Sequence, residues 1–449
     1  MTGKNTGNLD GLRFYCNHIT LRNNIIKSGL IVARNPAKIP AKKAAKVPEK
    51  LVVAALRDDG EDVARMEPMR LPEESTARPE LTELVLELSK RSAAFRASLP
   101  KGLAEPLAEF VRSMNCYYSN LIEGHNTHPV DIERALNNDL SKNPKKRDLQ
   151  LEAKAHIEVQ RWIDEGGLTG REKTVASILE IHLRFTRLLP GDLRWVENSD
   201  TGEKIPVVPG VMRIRDARVG KHIAVSPGAL PRFMRRFEER YSGLGNFETI
   251  LAAGPAHHRL LYIHPFSDGN GRVTRLMSYA ALLKALDTGG LWSIARGLAR
   301  REAEYKQHLS NCDEERRSDR DGRGHLSETA LNAFSKFFLE VCIDQVKFME
   351  TLMQPKALRE RILGWANDEI KYGRLSEKAP RVLDAILFKG SLPRSEVVEV
   401  VGQSVRSATN ITNALCKAGI ISSSGARADW QLAFPAKLAP RIAPGLFPD

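Results

Sequence analysis

The sequence predicts a mainly α-helical protein, with one short β segment near its middle and another close to its C-terminal end. Three observations carry this reading. From Pro79 onward, apolar residues recur at spacings of three and four through most of the 449-residue chain. Gly, Pro and β-branched residues alternate only in residues 191–229 and again near residues 420–434. No uninterrupted apolar run reaches the length of about 18 residues that a membrane span requires, so no membrane partner is expected.

The first element is a basic arm over residues 1–70. Its first 50 residues hold ten Lys or Arg against Asp10 and Glu49, and Lys, Ala and Pro dominate from Ala37 to Lys50. Such a stretch has little to bury and is expected to stay solvated. It reads as a solvated tail or as an extension upstream of a start at Met66 or Met69. Its functional alternative is a salt-sensitive attraction to nucleic acid or an anionic surface. The piece around "SGLIVA" is short and flanked by charge, so a secretory signal is not expected. Cys16, Cys116, Cys312, Cys342 and Cys416 are scattered without a CxxC pair. That argues against a zinc site or disulfide framework and for a reducing, cytoplasmic setting.

Residues 71–150 predict a helical region. "ELTELVLELSKRSAAFRASL" sets Leu81, Leu84, Leu86 and Leu88 near one another on a first helix. A second runs from about Pro106 through "LAEPLAEFVRSMNCYYSNLIEGHN" and stops near Gly124 and Asn126. Two more follow, around 131–139 and 147–166. The region 151–350 continues with "EKTVASILEIHLRFTRLL" up to Pro190, then a short hairpin and loop within 191–229. Helical pattern resumes at "LPRFMRRFEERYSGL". Residues 311–325 hold almost no apolar side chain and predict an exposed loop, followed by one long helix across much of 327–370.

Residues 375–449 form a last predicted unit. "APRVLDAILFKG" and "PRSEVVEVVG" are helices, and "SVRSATNITNALCKAG" is a third, capped by Ser404 and stopped by Gly419. Val405, Ala408, Thr412 and Leu415 form its expected buried stripe, while Arg406, Asn410 and Lys417 share another face. "IISSSGARADWQLAF" predicts two short strands around a Gly-containing turn. Helix, helix, turn, helix and hairpin resemble a winged helix-turn-helix, which takes DNA or a protein as partner. Nine bases against six acids in residues 376–449 give a weakly basic footprint.

The chemistry concentrates in "YIHPFSDGNGRVTRL", residues 262–276. "DG" and "NG" are hairpin-turn signals, yet Leu276, Ala280 and Leu283 continue at spacings of four and three, a helix face. A Gly-rich turn therefore opens a helix, where free N–H groups and the positive end of the dipole favour an anion. Gly269 and Gly271 admit a phosphate close to the backbone. Arg272 and Arg275 lie three apart, so their guanidiniums can converge on consecutive phosphates. Asp268 offers a hard oxygen for Mg²⁺, and His264 is the group placed to take a proton from a hydroxyl. Phe266 is expected to turn inward and anchor the loop. His257 and His258 with His264 do not predict a metal cluster, because adjacent helical residues diverge by about 100°.

"HPFSDGNGRVTR" resembles the signature of Fic proteins, H-x-F-x-[DE]-G-N-G-R-x-x-R, at every specified position, and the likeness extends over roughly residues 75–350. "PGVMRIRDARVG" resembles that family's flap, which aligns a target segment by strand addition. "SNLIEG" (119–124) resembles its inhibitory helix motif, here with Ser119 and Glu123. The resemblance implies a Fic-type helical bundle with a small β-hairpin flap, using ATP and Mg²⁺ to move AMP onto a Ser, Thr or Tyr hydroxyl of a target protein, itself included. It implies His264 as general base and Asp268 as metal ligand. Phe266, Gly269, Asn270, Gly271, Arg272 and Arg275 would form the nucleotide site, with Tyr305 at the adenine-side aromatic position, although packing is the alternative role for Tyr305. Glu123 would pair with Arg275 and obstruct the γ-phosphate. The family's Doc kinases carry Ala and Lys where this chain has Gly269 and Gly271, which favours adenylyl over phosphoryl transfer. Competing functions are a nucleotide-sensing DNA-binding regulator and an enzyme that removes AMP. The sequence leaves open whether the chain forms a homodimer.

Overall fold

In a computed structural model the described residues are 56–197 and 202–447, so the basic arm through residue 55 lies outside them. Residues 56–70 were included in that arm on charge and composition. They are instead laid along the protein body. Met66 and Met69 are fully buried. Gly228 N donates to Arg57 O at 2.8 Å, Ser226 N to Glu61 Oε1 at 2.6 Å, and Arg232 Nη2 to Asp58 Oδ1 at 2.7 Å. Asp58, Glu61 and Glu67 of this stretch have basic partners in Arg232 and Arg236, which a local count of charge does not register.

Helix α1 (Arg78–Ser98) buries Leu81, Val85, Leu88, Ser92 and Phe95, a stripe spaced four, three, four and three. Leu86 is 43% exposed and not part of it, since five residues from Leu81 place it about 140° round the helix. Helix α2 (Lys101–Ile122) begins earlier than Pro106 predicted, with Pro106 inside it. Proline there forfeits a hydrogen bond, but burial of Leu103 and Leu107 on either side holds the turn helical. Helices α3 (Pro129–Leu136) and α4 (Pro144–Asp164) each start with proline after a side-chain cap, from His128 and Asn143. Thr174 caps α5 (Val175–Leu188).

The central β segment holds two hairpins where one was expected. Strands β1 (Trp195–Glu197) and β2 (Lys204–Pro206) pair antiparallel, as do β3 (Arg218–Val219) and β4 (His222–Ile223). Residues 207–217 run between them without a ladder partner. Next come α6 (Leu230–Tyr241), α7 (Asn246–Leu251), α8 (Ala253–Ile263), α9 (Asn270–Ala285), α10 (Ala295–Arg300) and α11 (Glu302–Cys312). Helix α12 (Glu328–Leu352) does not run on to residue 370. Pro355 starts a separate α13 (Pro355–Lys371), and Gln354 before it adopts the extended ψ of 124° that a following proline favours.

The C-terminal region contains α14 (Ala379–Lys389), β5 (Ser391–Leu392), α15 (Val397–Val401), α16 (Val405–Ala418), β6 (Ile421–Ser422) and β7 (Trp430–Leu432), the strands ordered β5-β7-β6. Ser404 caps α16 and Gly419, at φ 80°, ends it. Its buried residues are Ala408, Ile411, Thr412 and Leu415. Val405 is 69% exposed, because the first turn projects beyond the helices it packs on. This region shares its core with the N-terminal helices: Phe110 stacks on Phe434 at 5.2 Å, and Tyr118 Oη donates to Leu446 O at 3.0 Å. Among the described residues, no helix is long and apolar enough to cross a membrane.

Candidate active site

Two left-handed residues shape the turn between α8 and α9. His264, at φ 51° and ψ 62°, ends α8, and Gly269, at φ 81°, stands just before α9. Glycine adopts that conformation freely, whereas a histidine pays some strain and persists only where its surroundings hold it. Several contacts hold it. Phe266 is fully buried and stacks on His182 of α5, with centroids 3.9 Å apart and planes 6° from parallel. His182 Nδ1 in turn accepts from Gly210 N at 3.0 Å. Asn270 closes the turn upon itself, accepting from Phe266 N at 2.9 Å and donating to Phe266 O at 2.8 Å. Its side chain is therefore committed to the turn. What the start of α9 presents outward is backbone N–H, since the first turn of a helix has no internal acceptors.

Arg213 is the connection that sequence reasoning missed. It is 3% exposed and pairs with no carboxylate among the described residues. It donates instead to the carbonyls of His264 (2.7 Å), Arg215 (2.8 Å) and Val225 (2.5 Å). Its backbone N–H also donates to Pro265 O at 2.8 Å. The segment between the hairpins is thus tied to the backbone on both sides of His264. Burial, then the nearby charges of Arg213 and His222, lower the His264 pKa to about 4, so the imidazole is neutral at ordinary pH and free to accept a proton. The Arg213 guanidinium is itself lowered by burial to about 10.

The two arginines of α9 are both buried and both engaged. Arg275 Nε donates to Ser119 Oγ at 2.9 Å and Nη2 to Ser119 O at 3.0 Å, and it pairs with Glu123, the C-cap of α2. Burial pushes the Glu123 carboxyl up, but Arg275 and Arg272 outweigh it and hold the pKa below its usual value. Arg272 pairs with Glu152 of α4 and with Asp268 Oδ2 at 3.1 Å, and lies 5.0 Å over the Phe185 ring. The other oxygen of Glu152 meets His125 Nδ1 at 2.7 Å. Glu152 and His125 were not singled out from sequence. They lie in separate elements far from Arg272 along the chain, and neither belongs to a motif. Burial raises the Asp268 carboxyl, with Glu123 adding to the effect.

The remaining candidates fall outside this cluster or beneath it. Tyr305 is 2% exposed, with its hydroxyl 2.7 Å from His257 Nε2, an interior position that fits packing rather than an adenine contact. His257 also meets Ser278 Oγ at 2.9 Å, and His258 meets Asp313 Oδ1 at 2.9 Å. Among the described residues no group of three or more His, Cys, Asp or Glu is placed to hold a metal ion. Asp268, at the turn, is a carboxylate that could hold a metal whose other oxygens come from a ligand, the usual habit of Mg²⁺ at phosphates.

Among known proteins, residues 173–282 match the Fic/DOC family. The chain is 29% identical over 171 residues to the protein adenylyltransferase Fic of Drosophila erecta, covering 38% of this chain and 32% of that one. To the protein of the same name in Drosophila sechellia it is 27% identical over 199 residues, covering 44% and 37%. The chain thus spans about a third of the length of the curated relatives it matches. A solved Fic family protein from Desulfovibrio desulfuricans G20 superposes over 81% of this chain and 98% of its own, with 15% identity and a TM-score of 0.47.

Proposed function

We propose that this chain, which carries a Fic domain in residues 173–282, transfers AMP from ATP to a hydroxyl side chain of a protein and is restrained by its own Glu123. The observation that carries the reading is the backbone-clamped His264 beside a helix start where buried Arg272 reaches Asp268 of the same turn and buried Arg275 is held by Ser119 and Glu123. In the reaction, His264 takes the proton of the target hydroxyl as its oxygen attacks the α-phosphorus. A new P–O bond forms, the bond to the β-phosphate oxygen breaks, and pyrophosphate leaves. Backbone N–H groups from Gly269 to Arg272 would bind the phosphates, and Arg272 and Arg275 would neutralise the β- and γ-groups. Asp268 would hold Mg²⁺, which when bound offsets phosphate charge.

Two features support the regulatory and target-binding parts of this reading. The Glu123 carboxylate occupies the guanidinium that the γ-phosphate needs. Along the segment tied to His264, Val211 and Ile214 are 49% and 64% exposed, and Ile223 of β4 is 73% exposed, apolar side chains available to an extended target segment laid alongside.

The test uses ATP labelled separately at the α- and γ-phosphates, with Mg²⁺, on wild type, Glu123→Gly and His264→Ala. Protein-bound label from the α-position only, absent in His264→Ala, is the expected result. Label from the γ-position would make the protein a kinase instead. No label in Glu123→Gly would remove the transferase reading altogether.

A further inference from the structure

We propose that the exposed face of α16, with Arg381 and the β6–β7 loop, is a surface for double-stranded DNA. The inference does not depend on the AMP-transfer reading. Helix α16 buries Ala408, Ile411, Thr412 and Leu415 and exposes Arg406, Thr409, Asn410, Asn413 and Lys417. Residues 403–427 contain three basic residues and no acidic one.

The pairing pattern is more specific than the charge count. Three other cations of this region are engaged: Arg359 Nε with Asp384 Oδ1 at 2.5 Å, Lys389 with Glu396 at 2.5 Å, and Arg394 Nε with Ala428 O at 3.0 Å. Arg381, Arg406, Lys417 and Arg427 have no ion pair or side-chain hydrogen bond among the described residues. Arg381 reaches the turn before α16, its Nη1 lying 3.9 Å from where a Cβ on Gly402 would stand. Arg427 is exposed in the loop between β6 and β7. The nearby acids are Glu399 on α15, Glu377 before α14, and Asp429, whose Oδ2 accepts from Ser391 Oγ at 3.0 Å.

A helix with a polar, acid-free face fits the major groove. Asn410 and Asn413 carry amides that can pair with N6 and N7 on the major-groove edge of an adenine, whereas Arg381, Lys417 and Arg427 suit phosphates. A protein-docking face would centre on large apolar anchors. Here the exposed apolar residues are Val405 and Phe388, the latter 86% exposed near the end of α14. Phe388 therefore serves as the discriminating control.

The experiment is fluorescence anisotropy of a labelled random-sequence duplex of about 20 base pairs, long enough for two helical turns, titrated with the full chain between about 50 and 200 mM salt. Residues 1–50 are retained in every protein, so any attraction by that arm is common to all. Arg381→Ala/Arg406→Ala/Lys417→Ala is expected to weaken binding at least about tenfold and to reduce the salt slope by about 2 to 3, near 0.9 for each phosphate that is no longer neutralised. Phe388→Ala should bind as wild type. Circular dichroism and urea unfolding check that the triple variant is folded, and Lys417→Gln, at an exposed position, gives a milder variant. Unchanged affinity and slope in the triple variant would overturn the proposal, as would a loss confined to Phe388→Ala, which would point to a protein partner.

Discussion

A Cβ added to Gly271 would collide with Oε1 of Glu123 and stand 3.0 Å from Nη1 of Arg275. The glycine at the start of α9 and the acid at the end of α2 therefore share one small volume. A side chain on the first excludes the observed position of the second. We expect Gly271→Ala to destabilise the protein by about 1 to 3 kcal/mol, the usual range for overpacking, and to do so much less in a Glu123→Gly background. Urea unfolding of the four proteins of this double-mutant cycle measures the coupling. Additive effects would show that the two residues do not compete.

Glu123→Gly should raise the rate of self-labelling by at least about tenfold, equivalent to about 1.4 kcal/mol of barrier, with a smaller change in ATP affinity because the gain is in phosphate placement. Adding Arg275→Ala to Glu123→Gly should abolish the gain, since the same guanidinium is needed by ATP. Initial rates measured side by side decide it. If AMP removal falls in Glu123→Gly while transfer stays unchanged, the net reaction runs in the other direction.

Glu152→Gln tests the pair that holds Arg272. It replaces one charge of a pair whose side chains are 8% and 6% exposed, and Asp268 remains as a second partner. A loss of about 3 kcal/mol in unfolding free energy is expected, the low end for breaking a buried pair, with a raised KM for ATP. Unchanged stability would mean that Asp268 alone suffices.

Asp268→Ala should abolish Mg²⁺-dependent labelling while leaving the melting temperature near that of wild type, because the Asp268 side chain is 44% exposed. Titrating Mg²⁺ against labelling rate in both proteins is the measurement. Metal-dependent labelling that persists in the variant would place the ligand elsewhere.

The pH dependence follows from buried histidines held neutral, among them His257, which burial lowers well below its ordinary value. His182, His258 and His264 are lowered to about 4 and His156 to about 3, from an ordinary 6.5. A histidine with a lowered folded pKa binds fewer protons folded than unfolded. Its contribution to stability is complete above about pH 6.5 and is lost as pH falls from there toward the folded value. Urea midpoints should therefore hold above pH 7 and decline steadily between about pH 6 and 4. The acid limb of free-enzyme kcat/KM, governed by His264, should lie well below 6.5.

The helical character, the turn at 264–271 and the spacing of Arg272 and Arg275 were all legible in the sequence, because they depend on residues within one or two turns of each other. Glycine conformations, caps and the 3.6-residue period act over that range and leave their mark locally. Where the reading failed, a local rule met a distant contact. Residues 56–70 looked like tail until their acids met Arg232 and Arg236 of α6, and Pro106 looked like a helix start until burial of its neighbours carried the helix across it. The family resemblance implies the Glu123–Arg275 pair, whereas the Glu152–Arg272 pair and the Arg213 contacts were decided by tertiary structure alone. Arg275 finds Ser119 and Glu123 more than 150 positions away, and Arg213 finds the carbonyl of His264 from 51 positions away. Periodicity states which face of a helix is apolar. It does not state which other helix that face will meet, and the charges at the rim of each face are paired only once that meeting is made.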